Sequence, residues 1–238
     1  MYKITFLTLF PQSFNWLFEY SIIKNAIKNN LVNLEIINFR DWSNDKHKKV
    51  DDYQFGGGPG MVIGLQAICD CLNSIRTSNS KVVLLTPTGK KYNHNLAKSL
   101  LKTEHLILIC GHYEGFDYRL SNYIDLEISI GDFILSGGEI PAMLIADSII
   151  RLIDGTINNE SLLSESFNNN LLDYPVYTKP YDYNGYKVPD VLFSGNHQLI
   201  NKYRYNQQIE QTKLKRPDLY KKYLNLKKGI ENEYNKNK

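Results

Sequence analysis

Residues 129–143, SIGDFILSGGEIPAM, set three glycines and two carboxylates between apolar runs. Ile130, Phe133 and Leu135 can supply apolar walls, while Gly131, Gly137 and Gly138 expose backbone donors and acceptors. That combination suits a flat neutral heterocycle such as adenine better than a triphosphate. Glu139 and Pro141 fit the first turn of the helix that follows, where an acid and a proline are both favoured. Residues 110–117, CGHYEGFD, crowd His112, Tyr113, Glu114 and Asp117 around Gly115 past the end of another apolar run. Polar side chains gathered there favour a binding role over a plain turn. Residues 55–61, FGGGPGM, put four glycines around Pro59 and offer free N–H groups. This loop lacks the G-K-[ST] of a phosphate-binding P-loop, and Ile63 stands where a dinucleotide fingerprint needs its third glycine.

These stretches need strands and helices to hold them. Apolar runs at 4–9, 31–39, 81–85, 105–110 and 124–130 read as strands. Helical patterns fall at 65–76, 93–101 and 139–153. A further helix starts at Pro11 and Ser13, with Phe14, Leu17, Phe18, Ile22 and Ile23 on one face. KVVLL and LILIC are apolar without alternation, as expected of strands covered on both faces. Strand and helix alternate, so the fold class is α/β with a parallel sheet. Ligands then sit beyond the carboxyl ends of the strands, where TPTGKKY (86–92), GHYEGFDYR (111–119) and IGDFILSGGEIP (130–141) should converge.

After Gly155 the texture becomes Asn/Ser-rich, then Pro/Gly/Tyr-rich, and from Leu199 helical and basic. The expected organisation is a domain at 1–157, a linker at 158–171 and a small helical domain at 172–238. Residues 201–238 hold eleven Lys and Arg against four acids, whereas 1–200 hold seventeen against twenty-one, within a net charge of +3. A mildly acidic body with a basic tail points to a polyanionic partner. No apolar run approaches the roughly 20 residues that span a bilayer, and no signal-peptide pattern is present. The expectation is a cytoplasmic protein without a membrane partner. Cys69, Cys71 and Cys110 form no C-x-x-C pair and read as reduced thiols, the last two as buried ones. The five histidines show no zinc spacing, and no residue is assigned to a metal.

FGGGPGM, CGHYEGFD, IGDFILSGGEIPAM, LLDYPVYTKP and VPDVLFSGNH, in this order over most of the chain, resemble the bacterial tRNA (guanine-N(1))-methyltransferases, the TrmD family of the knotted SPOUT class. The resemblance implies a trefoil knot in the α/β sheet, S-adenosylmethionine as methyl donor, a homodimer, and tRNA as substrate. The target would be the guanine immediately 3′ of the anticodon. Family members are also associated with Mg2+ dependence. Ile130, Gly131, Asp132, Phe133, Ile134 and Leu135 would line the cofactor site together with Gly111, with Pro87, Gly137 and Gly138 close by.

Methylating a ring nitrogen that carries a proton requires a general base, and a cation near O6 where negative charge grows. By resemblance Arg151 is that cation. The family's Asp-Ser-Phe reads here as Glu165-Ser166-Phe167, so Glu165 is the implied base and Asp173 the next candidate. On the substrate side the resemblance implies Gly57, Gly58, Tyr113 and Glu114, then the basic residues Lys179, Arg204, Lys213 and Arg216. His112 and Lys179 stand where relatives commonly carry Arg. The alternatives are a related knotted enzyme acting on another base or a ribose 2′-hydroxyl, and a non-catalytic RNA-binding relative, which only the Asp-to-Glu change favours.

Overall fold

The computed structural model describes residues 1–158, 162 and 165–236, with side chains to residue 229. The chain divides into two compact units, 1–158 and 159–238. The expected linker at 158–171 falls partly on residues 159–161, 163 and 164, outside the described set.

In the first unit the elements run β1 (Tyr2–Thr8), α1 (Asn15–Glu19), α2 (Ser21–Lys28), β2 (Val32–Asn38), β3 (Asp51–Asp52), β4 (Val62–Ile63), α3 (Leu65–Ile75) and β5 (Ser80–Lys91). They continue with α4 (His94–Leu100), β6 (His105–Ile109), β7 (Leu126–Ser129) and α5 (Glu139–Ile150). Five strands form one sheet in the order β2-β1-β6-β5-β7, every pair parallel. Successive side chains of a strand point to opposite faces. Ile4, Phe6, Leu106 and Leu108 accordingly enter one apolar cluster, with Ala97 of α4 and Ile145 and Ile149 of α5. Leu7, Ile107, Ile109 and Val82 enter the other, with Ile68 and Leu72 of α3. Each face of the sheet has its own helical cover. All five residues of β6 are buried, as its unbroken apolar run requires.

Two expectations are corrected. The helix expected from Pro11 through Ile23 is a 3-10 turn at Pro11–Phe14 followed by α1 and α2, because Tyr20 adopts extended backbone (φ −67°, ψ 125°). That break takes Phe18 off the buried face, leaving it exposed beside Trp16 and Tyr20. TPTGKKY is not a loop after a strand, since β5 runs on to Lys91. Leu85 and Lys90 both pair with Ile128, so residues 86–89 bulge from the strand. A Cβ on Gly89 would stand 2.4 Å from the Ile128 nitrogen, so only glycine allows this approach to β7. Smaller differences lie at element ends: α3 stops at Ile75, β7 covers only Leu126–Ser129, and α5 stops at Ile150.

The second unit contains a hairpin of β8 (Asp182–Tyr183) and β9 (Tyr186–Lys187), then α6 (His197–Lys215) and α7 (Pro217–Lys236). Asn196 caps α6, its side-chain oxygen accepting from the backbone N–H of Gln198 and Leu199. Leu171, Leu219 and Tyr223 are buried in this unit, and the Tyr205 and Tyr223 hydroxyls meet at 2.6 Å.

Candidate active site

Thr86 and Pro87 on the β5 bulge, the loop after β6 and the loop between β7 and α5 surround one cavity of about 720 Å3 beyond the carboxyl ends of the strands. Pro87, Gly111, Tyr113, Glu114, Ile130, Gly131, Phe133, Ile134, Leu135, Gly137 and Gly138, all singled out from the sequence, line it. Asp132 does not, its carboxylate reaching Lys91 Nζ at 3.2 Å on the outside. Gly57 and Gly58 are also absent from the lining. Their loop takes positive φ at Gly56, Gly57, Gly58 and Gly60, which explains its glycine content. The loop's exit is laced to the loop after β6: Glu114 donates its N–H to the Met61 carbonyl at 3.0 Å and Ile63 donates to the Gly115 carbonyl at 2.9 Å.

Gly138 serves a chain crossing. Its N–H donates to the Gly111 carbonyl at 2.9 Å, and a Cβ there would lie 2.6 Å from the Cys110 Cα. Beneath this crossing lies a network that the sequence did not announce. Glu139, 6% exposed, accepts from Thr8 Oγ1 at 2.6 Å and faces His112 Nε2 at 2.7 Å. The His112 ring packs on Phe10 with centroids 4.5 Å apart. Glu139 is therefore an internal tether that fastens the loop after β6 to β1 and α5.

Among the described residues, the charges lining the cavity are Glu114, Asp117 and Glu127, with no lysine or arginine. Paired hydrogen bonds from Arg119 hold the Asp117 carboxyl down at about 2. Burial pushes the Cys110 thiol well up, and burial with the Glu35 charge raises Cys71 to about 12, so neither is a nucleophile near neutral pH. Tyr113 has φ +57°, a strained value of the kind that clusters at binding sites. Apolar walls, glycine backbone and carboxylates alone suit a planar ring joined to a cationic group. They repel a polyphosphate.

Arg151 directly follows α5, its N–H bonded to the Asp147 carbonyl at 3.1 Å. Burial raises the Asp147 carboxyl, and the Arg151 charge opposes that rise. Glu165 lies in the second unit, on a cavity of about 390 Å3 shared with Asn168, Tyr205 and Lys227. Lys179 and Lys213 are exposed. Arg216 is paired with Asp218 at 2.7 Å, and the Arg204 guanidinium lies 4.9 Å over the Tyr174 ring. Those last two charges are partly committed inside their own unit. Among the described residues no group of three His, Cys, Asp or Glu is arranged to hold a metal ion. No helix among them is long and apolar enough to cross a membrane.

A sequence profile described as "tRNA (Guanine-1)-methyltransferase TrmD" matches residues 2–222. A protein named tRNA (guanine-N(1)-)-methyltransferase from Malacoplasma penetrans is 64% identical over 222 residues, 93% of this chain and 98% of its own. Proteins of the same name are 54% identical in Mycoplasma genitalium, over 99% of this chain and 100% of theirs, and 52% identical in Clostridium tetani, over 97% and 96%.

Proposed function

The chain belongs to the tRNA (guanine-1)-methyltransferase TrmD family, and on that premise we propose that it transfers a methyl group from S-adenosylmethionine to N1 of the guanine immediately 3′ of the anticodon in tRNA. One observation carries the cofactor reading: the cavity bounded by β5, β6 and β7 is lined by apolar side chains, glycine backbone and carboxylates. Its volume lies within the usual range for a ligand of this size, about 300–1,000 Å3. Ile130, Phe133 and Leu135 would enclose the adenine, and backbone at Gly111, Gly131 and Gly137 would read its edge. The cofactor supplies a methyl group on a sulfonium. When bound, it would give that methyl to guanine N1 and depart as a neutral thioether. The N1 proton passes to the Glu165 carboxylate, and Arg151 stabilises the charge that grows on O6. Mg2+ dependence, which the family resemblance implies, belongs to the same proposal, and no residue is assigned to the metal.

The first unit acts as the methyltransferase domain and residues 172–238 as the tRNA-binding domain. Gly57 and Gly58 are assigned to the substrate side, since the exit of their loop, at Met61 and Ile63, is laced to the loop of Tyr113 and Glu114. Lys179, Arg204, Lys213 and Arg216 attract the RNA backbone. The trefoil knot is supported by the path of the chain: it leaves edge strand β7 and begins α5 against the end of β6, with β5 between them in the sheet. A homodimer is supported by bare apolar surface, with Ile140 and Leu144 exposed on α5 and Trp16 and Phe18 on α1. The cytoplasm, where tRNA is found, is the proposed location.

Mapping the product tests this reading against a related enzyme that modifies another base or a ribose. After incubation with tRNA, nuclease digestion and mass spectrometry should recover 1-methylguanine next to the anticodon. A 2′-O-methyl nucleotide or another methylated base would favour the alternative.

A further inference from the structure

Residues 176–187 form an unbroken exposed stretch that contains four tyrosines. Two of them are anchored. The Tyr181 hydroxyl donates to Asp190 at 2.8 Å while its ring meets Phe193 edge-on at 5.2 Å, and Tyr177 is hydrogen-bonded to Tyr203. The other two are bare: Tyr183 is 67% exposed and Tyr186 is 83% exposed, and neither ring nor hydroxyl has a partner among the described residues.

Their scaffold is stiff. Tyr183 pairs with Tyr186 across the hairpin, so both rings rise from one face. The two turn residues, Asn184 (φ +54°) and Gly185 (φ +88°), have the positive φ that a tight hairpin needs. Asp182 Oδ1 accepts the Gly185 N–H at 2.8 Å, and Val188 donates to the Tyr181 carbonyl at 2.9 Å. A rigid ribbon that displays two adjacent aromatic rings to water leaves apolar area unburied for nothing within its own unit. Lys179 and Lys187, both exposed, flank the pair, and the unit's residues 201–238 carry the chain's excess of cations.

Resting on the tRNA substrate proposed above, we infer that Tyr183 and Tyr186 form a stacking platform for an unpaired base of the substrate tRNA, with Lys179 and Lys187 attracting the adjoining phosphates. Stacking on a ribbon-borne aromatic is how proteins hold unpaired nucleotides without reading their sequence. The rings matter here and the hydroxyls do not.

The test uses the full chain with Tyr183→Ala/Tyr186→Ala and Tyr183→Phe/Tyr186→Phe double variants. The dissociation constant for a whole tRNA transcript is measured by filter binding, so the outcome does not depend on turnover. The alanine pair should weaken tRNA binding by about tenfold or more without changing affinity for S-adenosylhomocysteine, and the phenylalanine pair should restore binding. Transcripts with one abasic loop position each should include a position at which the alanine penalty disappears. Unchanged tRNA affinity in the alanine pair would overturn the platform. So would a loss of affinity that sedimentation traces to dissociation of a dimer, which would give the rings to a second copy of the chain. A wild-type protein that binds tRNA through these rings yet methylates no guanine would refute the proposed function and leave the platform standing.

Discussion

Glu139 and Glu165 are two carboxylates of one chain in different surroundings. Glu139 is sealed between Thr8 and His112, so its oxygens are spent on the loop crossing. Glu165 is assigned the proton of guanine N1, and Glu165→Gln should slow single-turnover methyl transfer by about 100-fold or more while leaving cofactor binding intact. A rate near wild type would return the base to another group. At the opposite end of the sheet, Thr5 donates to Glu35 and therefore accepts from His105 Nε2, while Ser80 meets Nδ1 at 2.8 Å. Burial first, then the Lys3 charge, lowers the His105 pKa. The unfolded chain thus binds the proton more readily than the folded one. Stability from this site is complete above pH about 6.5 and drains away as pH falls through the depressed folded value. Urea titrations from pH 7.5 to 5 should show that loss, and His105→Gln should flatten it. The sequence disclosed the cavity residues because glycines and polar groups at strand ends are a local signal. It did not disclose Thr8 with Glu139, which lie 131 positions apart and meet only after the sheet forms.

Among the elements, β5 and β6 were readable because an unbroken apolar run leaves a strand buried on both faces as the simplest outcome. The extension of β5 was hidden because Thr86-Pro87-Thr88-Gly89 has turn chemistry and its pairing beyond that point depends on distant β7. The bulge turns those residues into cavity wall. Gly89→Ala would force a Cβ against the Ile128 backbone, costing about 1–3 kcal/mol of stability. The bulge would also shift, so affinity for S-adenosylhomocysteine should fall with it. Urea melts and calorimetry read the two effects, and a variant with both unchanged would mean that the β5–β7 approach is not needed. The break at Tyr20 was hidden because the helical spacing of Phe14, Leu17, Phe18, Ile22 and Ile23 runs through it and no glycine or proline marks the place.

For the whole molecule, the proposed function gives cofactor chemistry to the acidic body and RNA attraction to the basic C-terminal tail. Affinity for tRNA should therefore fall at least tenfold between about 50 and 200 mM salt, while affinity for S-adenosylhomocysteine stays flat. A salt-independent tRNA complex would make the tail irrelevant. The family's assignment to guanine is probed most directly by incubating the protein with radiolabelled S-adenosylmethionine and two tRNA transcripts that differ only in the nucleotide 3′ of the anticodon. The account predicts label in the transcript with guanine there and none in the transcript with adenine. Equal labelling of both, or of neither, would contradict it.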